Sequence, residues 1–187
     1  MKALMIIGMG IIAVVMVAFG AVGIISYDMD NRATDFETLN PNGTVIGSAL
    51  VVYDPSITDN TKNVATLIAN NLQANRYKVD LVGIKNIKAE NTSGYNIIVI
   101  GGPVYGGNAS SAVKTYLETL KPTEGTRVGV FATGDPHTTD EVQIKKQIAP
   151  IPENSTFQRN AVMTIAMRDE KAAKSVVFVN NLLIGQK

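Results

Sequence analysis

The chain has no cysteine and no tryptophan among its 187 residues, and it has a single histidine, His137. The absence of cysteine excludes disulfides, thiolate nucleophiles and cysteine-bound metal clusters, and it leaves redox chemistry silent about compartment. One histidine argues against a histidine-rich metal site. Charge is also sparse: 18% of residues are charged and the formal net charge is +1. No global field therefore favours nucleic acid. No nucleophile–base pair or ligand cluster is evident, so neither a hydrolase nor a metal enzyme is expected, and no residue is assigned a catalytic role. Hydrophobic residues make up 45% of the chain, which excludes a disordered polymer and suffices for a core.

What is abundant is concentrated at the start. "ALMIIGMGIIAVVMVAFGAVGII", residues 3–25, carries no charge. As a helix it would span about 34 Å, enough for the hydrocarbon core of a bilayer. Its glycines suit a membrane helix. The rival reading is a cleaved signal peptide, with Ala21-Val22-Gly23 before the cut. The run exceeds an ordinary signal core, so a single-pass anchor over 1–26, in contact with membrane lipid, is expected. Lys2 precedes the helix and Arg32 follows it. The excess of positive charge ahead of the helix points to an extracytoplasmic domain. Asn42-Gly43-Thr44, Asn91-Thr92-Ser93, Asn108-Ala109-Ser110 and Asn154-Ser155-Thr156 fit the glycan-acceptor pattern and point the same way.

Residues 27–46, "YDMDNRATDFETLNPNGTVI", show no sustained periodicity and read as a linker. A globular domain over 47–187 follows. "ALVVY", "YNIIVIGG", "RVGVFATG" and "NAVMTIA" are the apolar runs of buried strands, and "YKVDLVGI" alternates like a more peripheral one. Between them lie helical patterns. Val64, Leu67, Ile68 and Leu72 share one face, as do Val113, Tyr116, Leu117 and Leu120. A short helix is expected near 139–148. A final helix from Glu170 would stack Ala172, Val176, Val179 and Leu183. Five strands alternating with helices predict an α/β fold: a parallel sheet covered on both faces. Ligands of such folds bind beyond the carboxyl ends of the strands, where strand order reverses.

Three loops occupy that edge. "DPSITDNT", residues 54–61, offers the hydroxyls of Ser56, Thr58 and Thr61 and the amide of Asn60 at the start of a helix. Unpaired N–H groups there favour an anion; equally, Thr58 or Asp59 would simply cap the helix. "GGPVYGGN", residues 101–108, combines four glycines with Tyr105 at the tip. It suits either a flat ligand stacked on the tyrosine or a flexible turn with a surface tyrosine. "FATGDPHTTD", residues 131–140, presents Thr133, Gly134, Asp135 and His137. They could meet a ring edge, or the histidine could be merely solvated and Thr138 or Thr139 could cap the next helix.

Taken together, the loops resemble the flavodoxin-like family. "VVYDPSITDNTKNVA" is similar to its phosphate loop, whose usual core is Ser/Thr-x-Thr-Gly-x-Thr; "GGPVYGGN" and "FATGD" resemble the loops after its third and fourth strands. The resemblance covers about 140 residues. It implies a five-stranded flavodoxin-like sheet holding FMN non-covalently. Ser56, Thr58, Asn60 and Thr61 would take the phosphate. Tyr105 would stack on the flavin, with Gly101, Pro103, Gly106 and Asn108 shaping the pocket. Thr133, Gly134 and Asp135 would line the pyrimidine side. The function implied is that of a membrane-tethered electron carrier, or an FMN-dependent oxidoreductase, working with a redox protein partner. The alternative is a flavin-free interaction or binding module of the same fold.

The sequence departs from the family at three points. Asp59 stands where glycine is usual, and Asp54-Pro55 lengthens the turn. At an effective dielectric of about 20, like charges about 5 Å apart cost on the order of 3 kcal/mol before screening. From Ser48 onward there are 15 Lys/Arg and 12 Asp/Glu, a balance of 15 − 12 = +3, unlike the acidic surface common in flavodoxins.

Overall fold

A computed structural model describes residues 2–134, 141–148, 159–166 and 169–184. The apolar run forms helix α1, Lys2–Arg32. Its side chains from Gly10 to Asp28 are exposed, Phe19 and Ile24 among them. Within it, 23 residues from Gly10 to Arg32 are long and apolar enough to cross a membrane.

The domain beyond α1 is a sheet with helices on both faces. Strands β2 (Gly47–Tyr53), β3 (Tyr77–Gly83), β4 (Ile97–Tyr105), β6 (Arg127–Gly134) and β7 (Arg159–Ala166) are parallel. Strand β1 (Phe36–Leu39) runs antiparallel along β3, and the short β5 (Asn108–Ala109) pairs with the end of β4. The order across the sheet is β1-β3-β2-β4-β6-β7. This is the five-stranded flavodoxin-like arrangement with one antiparallel edge strand added. The order reverses at β2: the chain runs from β2 to β3 on one side, then crosses to β4 on the other.

Alternation within each strand supplies two cores. Ala49, Val51 and Tyr53 meet helices α2 (Asn60–Ala74) and α5 (Lys171–Ile184) through Val64, Ile68, Leu72, Phe178 and Leu182. Leu50 and Val52 point the other way, into a core with Val113 and Leu117 of α3 (Ser111–Thr119) and Ile144 of α4 (Glu141–Gln147).

Two expectations change. The buried face of α5 is Ser175, Phe178, Val179 and Leu182, not Ala172, Val176, Val179 and Leu183; Val176 is 44% exposed. Only Val179 is common to both faces. The cause lies in β6. A Cβ on Gly129 would come within 2.7 Å of Phe178 Cζ, so the missing side chain is the space that ring fills. Phe178 also meets Phe131 edge to face at 6.4 Å.

The segment 27–46 is not structureless throughout. Helix α1 continues into it and β1 lies inside it. Gly83 N–H donates to Asp35 O at 2.8 Å and Lys85 N–H to Ala33 O at 2.8 Å. Thr38 Oγ1 donates to an Asp80 carboxylate oxygen at 2.6 Å. Strand β3 is therefore covered on both sides, by β1 and β2.

Candidate functional site

At the carboxyl edge of the sheet the ends of β2, β4 and β6 enclose a cavity of about 230 Å³. Its walls are Ser56, Ile57, Thr58 and Asn60 from the loop after β2; Pro103, Val104 and Tyr105 from β4; and Thr133 and Gly134 from β6. Neighbouring parallel strands end level with one another, so the loop after β2 and the ends of β4 and β6, distant in sequence, arrive at one place.

The first loop is tied down before it reaches α2. Asp54 N–H donates to Gly101 O at 2.8 Å, and the buried Ser56 Oγ accepts from Thr61 N–H at 3.2 Å. Ser56 thus performs the capping that the sequence suggested for Thr58 or Asp59. Asp59 holds the N-cap position in a left-handed backbone, φ 55°, with no side-chain cap bond. Aspartate tolerates that conformation better than most residues. Its carboxylate turns away onto the guanidinium of Arg32, at the end of α1.

Beneath the loop the hydroxyls of Thr61 and Thr133 lie 2.6 Å apart, both buried, joining the starts of α2 and the third loop. Asn60 is only 5% exposed, and its Oδ1 is buried with no hydrogen-bond partner. A buried amide oxygen without a partner costs about 1–3 kcal/mol.

Tyr105 stands at the mouth, 48% exposed, and its hydroxyl accepts from Ile57 N–H at 3.0 Å. Its ring therefore spans the first and second loops and is not packed inside the protein. Ile57, 54% exposed, sits beside it. The turn beyond is held from α4: Gln147 Nε2 donates to Gly107 O at 2.9 Å, and Gln147 Oε1 accepts from Ala109 N–H at 2.8 Å.

Of the expected site residues, Ser56, Thr58, Asn60, Pro103, Tyr105, Thr133 and Gly134 line the cavity. Thr61 lies under it, bonded to Thr133. Gly101 is elsewhere: a Cβ there would stand 2.1 Å from the Phe131 ring, so close packing against that ring explains this glycine. Gly106, at φ 56°, and Asn108, whose amide donates to Gly106 O at 3.2 Å, form the β4–β5 turn. Asp135, His137, Thr138 and Thr139 lie outside the described residues. Ile57, Val104 and Arg32 were not foreseen. The first was in plain view within the loop, but apolar residues in a polar loop give no chemical signal. Arg32 is distant in sequence, and only the fold brings it near.

The surroundings are ionic. Lys62 pairs with Asp35 at 2.6 Å, Lys85 with Asp30 at 2.6 Å, and Arg32 with both Asp28 and Asp59. Burial raises the Asp54 carboxyl above its ordinary range, with the Ser110 hydroxyl and the Lys85 charge opposing the shift.

Residues 50–173 match the family model described as a flavodoxin domain. Solved structures agree. A flavodoxin of Streptococcus pneumoniae TIGR4 is 20% identical, with TM-score 0.59 over 73% of this chain and 98% of its own. Flavodoxin 2 of Bacillus cereus, in its oxidised form, is 21% identical, with TM-score 0.55 over 74% of this chain and 99% of its own. An NADH:FMN oxidoreductase, solved in its apo form, is 13% identical, with TM-score 0.53 over 75% of this chain and 90% of its own. No curated protein matches the sequence. With a family model that spans most of the domain and loops that converge at the switch point of the sheet, the chain belongs to the flavodoxin family.

Proposed function

We propose that this protein binds FMN non-covalently in the cavity and transfers electrons beside a membrane to which α1 tethers it. One observation carries the reading: Asn60, whose buried Oδ1 has no hydrogen-bond partner among the described residues, lines the same cavity as Tyr105. A ribityl hydroxyl could donate to that oxygen; a half-turn of the amide would instead aim its N–H₂ at a phosphate. Ser56, Thr58 and Thr61 add hydroxyls around the first turn of α2, where the helix dipole favours an anion. The residues present fit the group.

The cavity, about 230 Å³, is smaller than the usual cofactor pocket of about 300–1,000 Å³. It suits a phosphate and part of a sugar chain, with the flavin ring lying towards the mouth. There Tyr105 offers a ring face and Ile57 an apolar neighbour. Gly134 and, beyond it, Asp135 are assigned to the pyrimidine side. The bound flavin would supply one- or two-electron chemistry. The protein's own work is to bind, orient and shield it, and no side-chain acid, base or nucleophile is required.

The tether bears on the partner. Strand β1 is antiparallel to the parallel strands and starts level with the end of β3, at Phe36↔Val82. The chain therefore enters the domain at the carboxyl edge, beside the cavity. An electron donor or acceptor in or on the membrane would reach the flavin from that side. By the positive-inside rule the domain lies on the extracytoplasmic face. The charge of Asp59 and the near-neutral surface both speak for a flavin-free module; against the first, that carboxylate is engaged by Arg32.

The test is an FMN titration of the full chain in detergent micelles. Saturable quenching of flavin fluorescence at micromolar FMN is expected. A chain that stays colourless and leaves the fluorescence unchanged over that range overturns the reading.

A further inference from the structure

The start of α2 carries a conflict of charge once FMN is placed there, so its resolution rests on the FMN reading. Asp59 immediately precedes Asn60, the first residue of α2. An FMN phosphate at this helix terminus would meet a carboxylate one residue away, and like charges at such separation repel. The Asp59 side chain makes no cap bond to α2 that would explain its presence. Its one charged partner among the described residues is Arg32.

That partner is held firmly. Arg32 Nη1 donates to Asp59 Oδ1 and Nη2 to Asp28 Oδ2, and its side chain is 16% exposed. The backbone oxygen of Arg32 accepts from the Tyr53 hydroxyl at 3.2 Å. Of the other carboxylates nearby, Asp35 has Lys62 and Asp30 has Lys85, while Asp28 shares Arg32 with Asp59.

We propose that Arg32, the last residue of the anchor helix, holds the Asp59 carboxylate and partly offsets its charge, and so permits a phosphate at the N-terminus of α2. Arg32 is a positioning residue. It acts on the head group through Asp59, and cofactor affinity depends on the final turn of the anchor. In this chain the Arg32–Asp59 pair does what the usual glycine of the family does by having no side chain. The left-handed backbone is kept, and the charge it brings is held and partly offset from outside the loop.

The experiment compares FMN and riboflavin, which lacks the phosphate, on the full chain and three variants. Arg32→Ala is expected to weaken FMN binding about tenfold at low ionic strength, less at high salt. Riboflavin affinity should stay unchanged, which a collapsed site would not allow. Asn also tolerates a left-handed backbone, so Asp59→Asn in the Arg32→Ala background should restore FMN affinity. Asp59→Asn alone should not lower it. Equal FMN affinity in the natural chain and Arg32→Ala overturns this proposal and leaves the functional reading standing. So does an Arg32→Ala loss that Asp59→Asn fails to restore, which would mean that Arg32 touches the phosphate or merely holds the loop. A natural chain that takes up no FMN defeats the functional reading, and this proposal with it.

Discussion

Polar residues in the first loop divide into those that face the cavity and those that hold it open. Thr61 belongs to the second group, bonded beneath the cavity to Thr133, which also lines it. The Thr61 and Thr133 hydroxyls, 2.6 Å apart and buried, link the start of α2 to the end of β6. Thr61→Val keeps the shape but leaves Thr133 without its partner. A loss of about 1–3 kcal/mol is expected in urea unfolding, with Thr133→Val in the same chain recovering part of it. Asp54 offers a test through pH. Its carboxyl is raised, so the folded state holds a proton that the unfolded chain releases at its ordinary pKa. From that ordinary value up to the raised one, the folded chain binds more protons and stability falls as pH increases. Above the window the loss is complete. Asp54→Asn keeps an acceptor for the Ser110 hydroxyl and removes the charge. Its Tm should exceed that of the natural protein at pH 7, and the two should converge in acid. At this scale the sequence disclosed which polar residues were available. It did not disclose that Gly101 answers to the Phe131 ring, because that ring arrives from the neighbouring strand β6.

The amphipathic pattern of α2 was legible because Val64, Ile68 and Leu72 recur at helical spacing among polar neighbours. Helix α5 was not. Its sequence "KAAKSVVFVNNLLI" supports two apolar faces that differ by one residue in phase. The notch at Gly129 selects the face bearing Phe178 and Leu182. The consequence is an asymmetry between neighbours in sequence. Phe178→Ala should cost about 3–5 kcal/mol. Val176→Lys, on the exposed face, should change stability by less than about 0.5 kcal/mol. Thermal and denaturant unfolding of the two variants checks this, and comparable losses would place the helix in the other phase. Strand β1 escaped notice for a related reason. Four residues, partly exposed and antiparallel at an edge, carry too little pattern to stand out from a linker.

The molecule as a whole joins its N-terminal helix to the carboxyl edge of its sheet. Helix α1, the ion pairs of Asp30 and Arg32, and β1 form a continuous path from the apolar run to the carboxyl ends of β2 and β3. A soluble fragment starting at residue 47 loses β1, frees the edge of β3 and removes Arg32. A fragment starting at residue 33 keeps the strand. The shorter one is expected to show the lower Tm, by about 2–4 °C for each kcal/mol lost, and a greater tendency to aggregate through the open edge. Equal stability of the two fragments would show β1 to be an ornament of the sheet.

By itself the sequence determined the class of fold, the apolar helix and polar residues at strand ends that line the cavity. These follow from continuous apolar runs, helical spacing and polar residues at strand ends, all of which are local. Tertiary structure decided the rest: the phase of α5, the edge strand β1, the tyrosine hydroxyl bonded to Ile57, and above all the partner of Asp59. Each depends on a contact between residues far apart in the chain. An aspartate read alone carries only its charge, and what that charge does is fixed by the cation the fold sets against it.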